Sequence, residues 1–165
     1  MRKFSLLLVV LLLLSFSVMA QDAEPTAIVS ELGTGGTHIS FWNGLTGSDG
    51  VTLNEMLADF VVANPEISVT TEIIPWNTLY TKLQAAFVAN TPPDLFLLHA
   101  SEIPQFASYG VLKDLGPWYV SGGGWFPDDD LSAVSMNGMM YDGTIYGIPL
   151  DNHGRGLWIN TDMLE

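Results

Sequence analysis

From His38 onward the apolar residues of the chain alternate between a period of two and a period of three to four. His38-Ile39-Ser40-Phe41-Trp42 reads as a short strand, followed by a loop, Asn43 to Gly50, with three glycines. Thr52 and Glu55 have the spacing of a capping box, and Leu53, Met56, Leu57, Phe60 and Val61 fall on one face of the helix behind it. Asn64-Pro65 ends that helix, because the residue before a proline is pushed out of the helical region. Ile67 to Ile74 is rich in β-branched residues and predicts a second strand. Asn77 offers an N-cap to a second helix with Leu79, Leu83, Ala86 and Phe87 as its buried stripe, and Asn90 to Pro93 stops it. Asp94 to His99 has the continuous apolar centre of a strand covered on both faces. Ser101 is placed to cap a short helix with Ile103, Phe106 and Ala107 inward and Gly110 at its end.

Strand and helix in strict alternation with short connections predict an α/β fold: a parallel sheet of βαβ units with right-handed crossovers. Further on, Asp142-Gly143 separates two short apolar runs, Met139 to Tyr141 and Thr144 to Pro149, and predicts a hairpin. Tyr146 to His153 then leads into a second apolar strand, Gly156 to Asn160. In an open α/β sheet, ligands sit beyond the carboxyl ends of the strands. That rule selects Asn43, Gly44, Thr46 and Asp49 after the first strand, Trp76 and Asn77 after the second, and His99, Ala100 and Ser101 after the third. The three loops are expected to open on one rim.

The N-terminus changes the picture of where this domain works. Arg2 and Lys3 precede nine unbroken apolar residues, Leu6 to Leu14, and Val18-Met19-Ala20 supplies small residues for cleavage before Gln21. Residues 1–20 are therefore expected to be a signal peptide, too short in its apolar run to span a bilayer, which takes about 20 residues. Residues 21–37 have no apolar period and predict a flexible leader. There is no cysteine, which excludes disulfides, thiolate zinc sites and a lipid-bearing cysteine at the cleavage site, so a periplasmic or secreted protein is expected. Loss of residues 1–20 leaves three bases against eighteen acids and moves the net charge from −13 to −15. Such a surface repels phosphate backbones and anionic lipid, so no nucleic-acid partner is expected.

Phe41-Trp42-Asn43-Gly44-Leu45-Thr46-Gly47, Asn64-Pro65-Glu66-Ile67, Pro92-Pro93-Asp94-Leu95, Tyr146-Gly147-Ile148-Pro149 and Asn160-Thr161-Asp162-Met163-Leu164 stand in one order and spacing. In this the chain resembles family 1 bacterial extracellular solute-binding proteins, the maltose-binding-like, sugar-binding components of ABC importers. The resemblance runs from Ile39 to the end; it departs from the family at Ile159, where Tyr is usual. It implies a periplasmic-binding-protein-like lobe over residues 38–149, a hinge and the start of a second lobe over 150–165, and a carbohydrate or similar polar solute held between two lobes that close on it. It also implies a monomer that engages the transmembrane subunits of an ABC permease. Family members are more than twice as long, so most of the second lobe is expected to lie outside this chain.

Sugars are recognised by an aromatic ring against a C–H face, with polar side chains on the hydroxyls. Trp76 begins a helix at the expected mouth and is the stacking candidate; the alternative is a ring packed beneath its own helix. Trp42 divides between core and site. His99 and Ser101 divide between solute contact and local capping. Asp151, with His153 and Arg155 behind it, stands where the family commonly places polar contacts, the alternative for Asp151 being a hinge cap. A polyol, a glycerol-phosphate-type ligand or a peptide would suit the same architecture. A secreted carbohydrate-active enzyme is the reading from another class, but HExxH, G-x-S-x-G and P-loop patterns are absent and no cofactor is called for.

Overall fold

A computed structural model describes residues 27–119, 131–152 and 156–163. The expected signal peptide, the first part of the leader and His153 lie outside the described residues. The chain divides into two compact units, one up to Phe96 and one from Leu97.

The first unit is built on a four-stranded sheet in the order β1-β3-β2-β4, with β1 Ile28–Leu32, β2 Thr37–Asn43, β3 Ile67–Ile73 and β4 Leu95–Phe96. β2 runs parallel to both β3 and β4, in the registers Asn43↔Ile73 and Trp42↔Phe96. The connections β2→β3 and β3→β4 step across the sheet in opposite directions, so right-handed crossovers send α1 (Ser48–Ala63) and α2 (Trp76–Val88) to opposite faces. Phe41 and Asn43 on β2 share one face with Val69, Thr71 and Ile73 on β3, and all five are buried. The alternate positions, Trp42 and Glu72, face Lys82 of α2, which pairs with the Glu72 carboxylate and sits 4.1 Å from the centre of the Trp42 ring. Trp42 thus packs between sheet and helix.

Four local expectations change. Residues 28–32, read as leader, form β1, antiparallel to β3. Five residues are too few to show a period, and what makes them a strand is the open edge of β3. α1 starts a turn before the expected capping box: Asp49 Oδ1 accepts from the backbone of Gly47 and Gly50, while Thr52 Oγ1 donates to the Ser48 carbonyl. Its buried line is Leu53 and Val61, with Met56 and Phe60 exposed. In α2 the helix begins at Trp76, so Asn77 lies inside the first turn and Pro75 holds the cap position without a side-chain bond. β4 is two residues long and starts one residue late, because Asp94 pairs through its side chain instead of the ladder. Asp94 Oδ2 accepts from Ser40 N (2.8 Å) and Ser40 Oγ (2.6 Å), and Asp94 N donates to Ser40 Oγ (2.9 Å).

The second unit opens with a 3-10 turn, Ala100–Glu102, that runs into α3, Ile103–Ser108. Ile103, Phe106 and Ala107 are buried as the spacing requires, and Gly110 follows at φ +69°. α4 (Ala133–Gly138) is capped by Ser132, whose Oγ accepts from Ser135 N at 3.1 Å. The hairpin β5 (Met140–Tyr141) and β6 (Thr144–Ile145) turns through Asp142 and Gly143 at φ 48° and 76°, the conformation Asp-Gly favours. Gly156 to Asn160 is not a strand: Leu157 and Trp158 are 89% and 97% exposed, with no strand beside them among the described residues. An apolar run becomes a strand only when another strand supplies its ladder.

Candidate functional site

The carboxyl ends of β2 and β3 meet at one edge of the first unit, and both helices begin there. Asn43 closes β2 and is 1% exposed. Its Nδ2 donates to Thr71 Oγ1 (3.1 Å), its Oδ1 accepts from Leu45 N (3.1 Å), and its carbonyl accepts from Ile74 N (2.8 Å). One side chain therefore fastens the outgoing loop to the neighbouring strand. The loop then folds back tightly, with the Leu45 carbonyl lying where a β-carbon on Gly50 would stand.

Gly44 is buried under Trp76. A β-carbon built on it would come within 2.6 Å or less of Cδ2, Cε2 and Cε3 of the indole, so the ring rests directly on the loop backbone. Trp76 is half-buried, and Tyr80, one turn further along α2, approaches it with ring centroids 5.9 Å apart and planes tilted by 36°. Asn43, Gly44 and Trp76 are thus brought together, and Thr46 is exposed on the same loop. Tyr80 was missed by the sequence reading, although its four-residue spacing from Trp76 was visible. The role of Thr71 as Asn43's partner left no such signal, because it depends on register.

His99 and Ser101 belong to the second unit. His99 is half-buried at the start of the 3-10 turn, its carbonyl accepting from Glu102 N at 2.9 Å. Ser101 is not the helix cap expected of it: it lies inside the turn, exposed, with Oγ donating to Glu102 Oε1 at 3.2 Å. Asp151 is exposed. The Asp94 carboxyl is held below its ordinary value of 3.8, first by the Ser40 hydroxyl and then by the Ser40 backbone N–H. A shallow depression of about 260 Å³, lined by Glu31, Gly33, His38, Ser68 and Thr70 among others, lies at the opposite end of the strands. Among the described residues no three His, Cys, Asp or Glu side chains gather as metal ligands, and no helix is long and apolar enough to cross a membrane.

A sheet of this order, with helices on both faces and polar loops at the carboxyl ends of its strands, is the lobe of a periplasmic-binding-protein fold. The sequence profile of bacterial extracellular solute-binding proteins matches residues 43–165, and the chain belongs to that family. It is similar to the ABC substrate-binding protein of Listeria monocytogenes solved with cycloalternan: 32% identity, TM-score 0.59, 67% of this chain and 28% of that one. The sugar-binding protein MalE of Xanthomonas citri shares 32% identity at a TM-score of 0.61, over 68% of this chain and 28% of its own. A Brucella abortus protein is 28% identical over 119 residues, 70% of this chain and 27% of the relative. The chain spans little more than a quarter of the length of the proteins it matches. The family is one of solute-binding proteins of the cell exterior and not a family of enzymes.

Proposed function

We propose that the chain forms part of an extracytoplasmic receptor that captures a carbohydrate between two closing lobes and presents it to an ABC-type permease. The observation that carries this reading is the half-buried Trp76 indole at the carboxyl edge of the sheet, seated on Gly44 in the loop that also carries the exposed Thr46. An indole face complements the C–H face of a pyranose, and hydroxyls beside it complete the recognition. Trp76 is the stacking ring and Thr46 a polar contact of the first unit, while His99, Ser101, Asp151 and His153 are carried as polar contacts from the sequence motifs alone. Asn43 and Gly44, the other two contacts the sequence suggested, also shape the loop: the Asn43 amide is engaged internally and Gly44 lies under the indole. Residues 1–20 direct export and are cleaved before Gln21. The sugar- and cycloalternan-binding neighbours support a carbohydrate as the solute.

The test is a thermal-shift panel of mono- and oligosaccharides, polyols, glycerol phosphate and peptides on the full-length protein. A ligand at 100 times its dissociation constant adds about 2.7 kcal/mol of stability. A shift with sugars alone supports the reading; a shift confined to peptides or polyols replaces it. Recovery of each sugar chemically unchanged separates a receptor from a glycosidase.

A further inference from the structure

We propose that Gly44 is the positioning residue for Trp76: its lack of a side chain sets how far the indole stands out from the edge of the sheet. This deepens the carbohydrate reading and rests on it for its functional consequence. Glycine is commonly needed where φ is positive, as at Gly33, Gly110 and Gly143, but Gly44 is not among those positions. Its backbone conformation would admit alanine. What excludes a β-carbon is the indole, specifically the bond shared by its two rings and the atom next to it.

The displacement can be read from the geometry. Even the most distant of the three ring atoms, at 2.6 Å, must retreat by 0.8 Å to reach an ordinary contact of 3.4 Å. A binding constellation tolerates about 0.5 Å before its complementarity is lost. The loop cannot yield in place of the ring, because the residue before Gly44 is fixed by three hydrogen bonds, to Thr71, Leu45 and Ile74. On the helix side the ring begins α2, whose next buried residue, Leu79, is fully enclosed. The side chain of Trp76 is therefore what moves, and it moves outward. Gly44 and Trp76 act as a pair in which one residue supplies the ring and the other its height.

The experiment uses the full-length protein with 5-fluorotryptophan, the Trp76 resonance being assigned by its loss in Trp76→Phe. In Gly44→Ala the Trp76 resonance moves toward the exposed position and its solvent isotope shift grows, while the other tryptophans stay in place. Trp76→Val, which removes the obstructing ring, restores the melting temperature that Gly44→Ala lowers. An unmoved Trp76 resonance, or a double variant no more stable than Gly44→Ala alone, overturns the proposal; should Gly44→Ala fail to fold, recovery of folding in the double variant decides it. With maltotriose as probe, Gly44→Ala weakens binding at least tenfold in the wild-type background and less than twofold beside Trp76→Ala. Equal losses in both backgrounds overturn the link between seat and affinity. If the wild type binds no sugar, the carbohydrate reading fails while the resonance and the rescue still judge the seat.

Discussion

Replacing Asn43 by alanine separates two roles that the sequence could not distinguish. If Asn43 were a direct solute contact, the change would weaken binding and leave stability nearly untouched. The structure places its amide in the interior, donating to Thr71 Oγ1 and accepting from Leu45 N, with Asn43 at 1% and Thr71 at 0% exposure. Truncation removes both bonds and strands the Thr71 hydroxyl and, in part, the Leu45 N–H. A net hydrogen bond is worth about 0.5–1.5 kcal/mol and a stranded buried group costs about 1–3 kcal/mol. Because the two bonds share one side chain and the loop can partly rehydrate Leu45 N, the expected loss is about 2–4 kcal/mol. Urea unfolding is the assay, with the midpoint falling at unchanged slope. A loss below about 0.5 kcal/mol, the range of ordinary surface changes, would refute the bracket. So would reduced sugar affinity with an unmoved unfolding midpoint.

Three further outcomes are expected. The Asp94 carboxyl titrates below its ordinary value, so its contribution is present above the unfolded-state value near 3.8 and is lost as pH falls through the lower folded value; the stability difference between wild type and Asp94→Asn should shrink below about pH 4, and a difference constant down to pH 2 would contradict the Ser40 clip. Trp76→Ala should weaken carbohydrate binding by about 1–3 kcal/mol by calorimetry, and an unchanged affinity would assign the ring to packing. The mature protein recovered from outside the cytoplasm should begin at Gln21 by N-terminal sequencing, and an intact Met1 would remove the cleaved signal.

The elements legible in the sequence were those whose cause is local. Leu79, Leu83 and Ala86 declared the buried stripe of α2 by spacing alone, and Asp142-Gly143 declared the hairpin through its left-handed turn. The elements that misled were those decided by a distant partner. Ile28–Leu32 is a strand because β3 offers an edge, and Leu157–Ile159, equally apolar, is not one because no described strand adjoins it. Ser101 has the right residue type for a cap, but a 3-10 turn begins before it and His99 takes the flanking position. At the candidate site, the loop residues Asn43, Gly44 and Trp76 followed from the order of strands and helices, since parallel strands deliver their ends to one edge.

By itself the sequence determined the alternation of strands and helices, the family, and which loops hold polar and aromatic residues, because period, turn chemistry and motif spacing are properties of neighbouring residues. Only the tertiary structure decided that Asn43 is a buried bracket, that Trp42 lies against Lys82, and that Gly44 is the seat of Trp76. Each of those roles belongs to a pair separated by 28 or more residues. Whether such a side chain faces a ligand or a partner strand is set by register and helix placement, which no local pattern encodes.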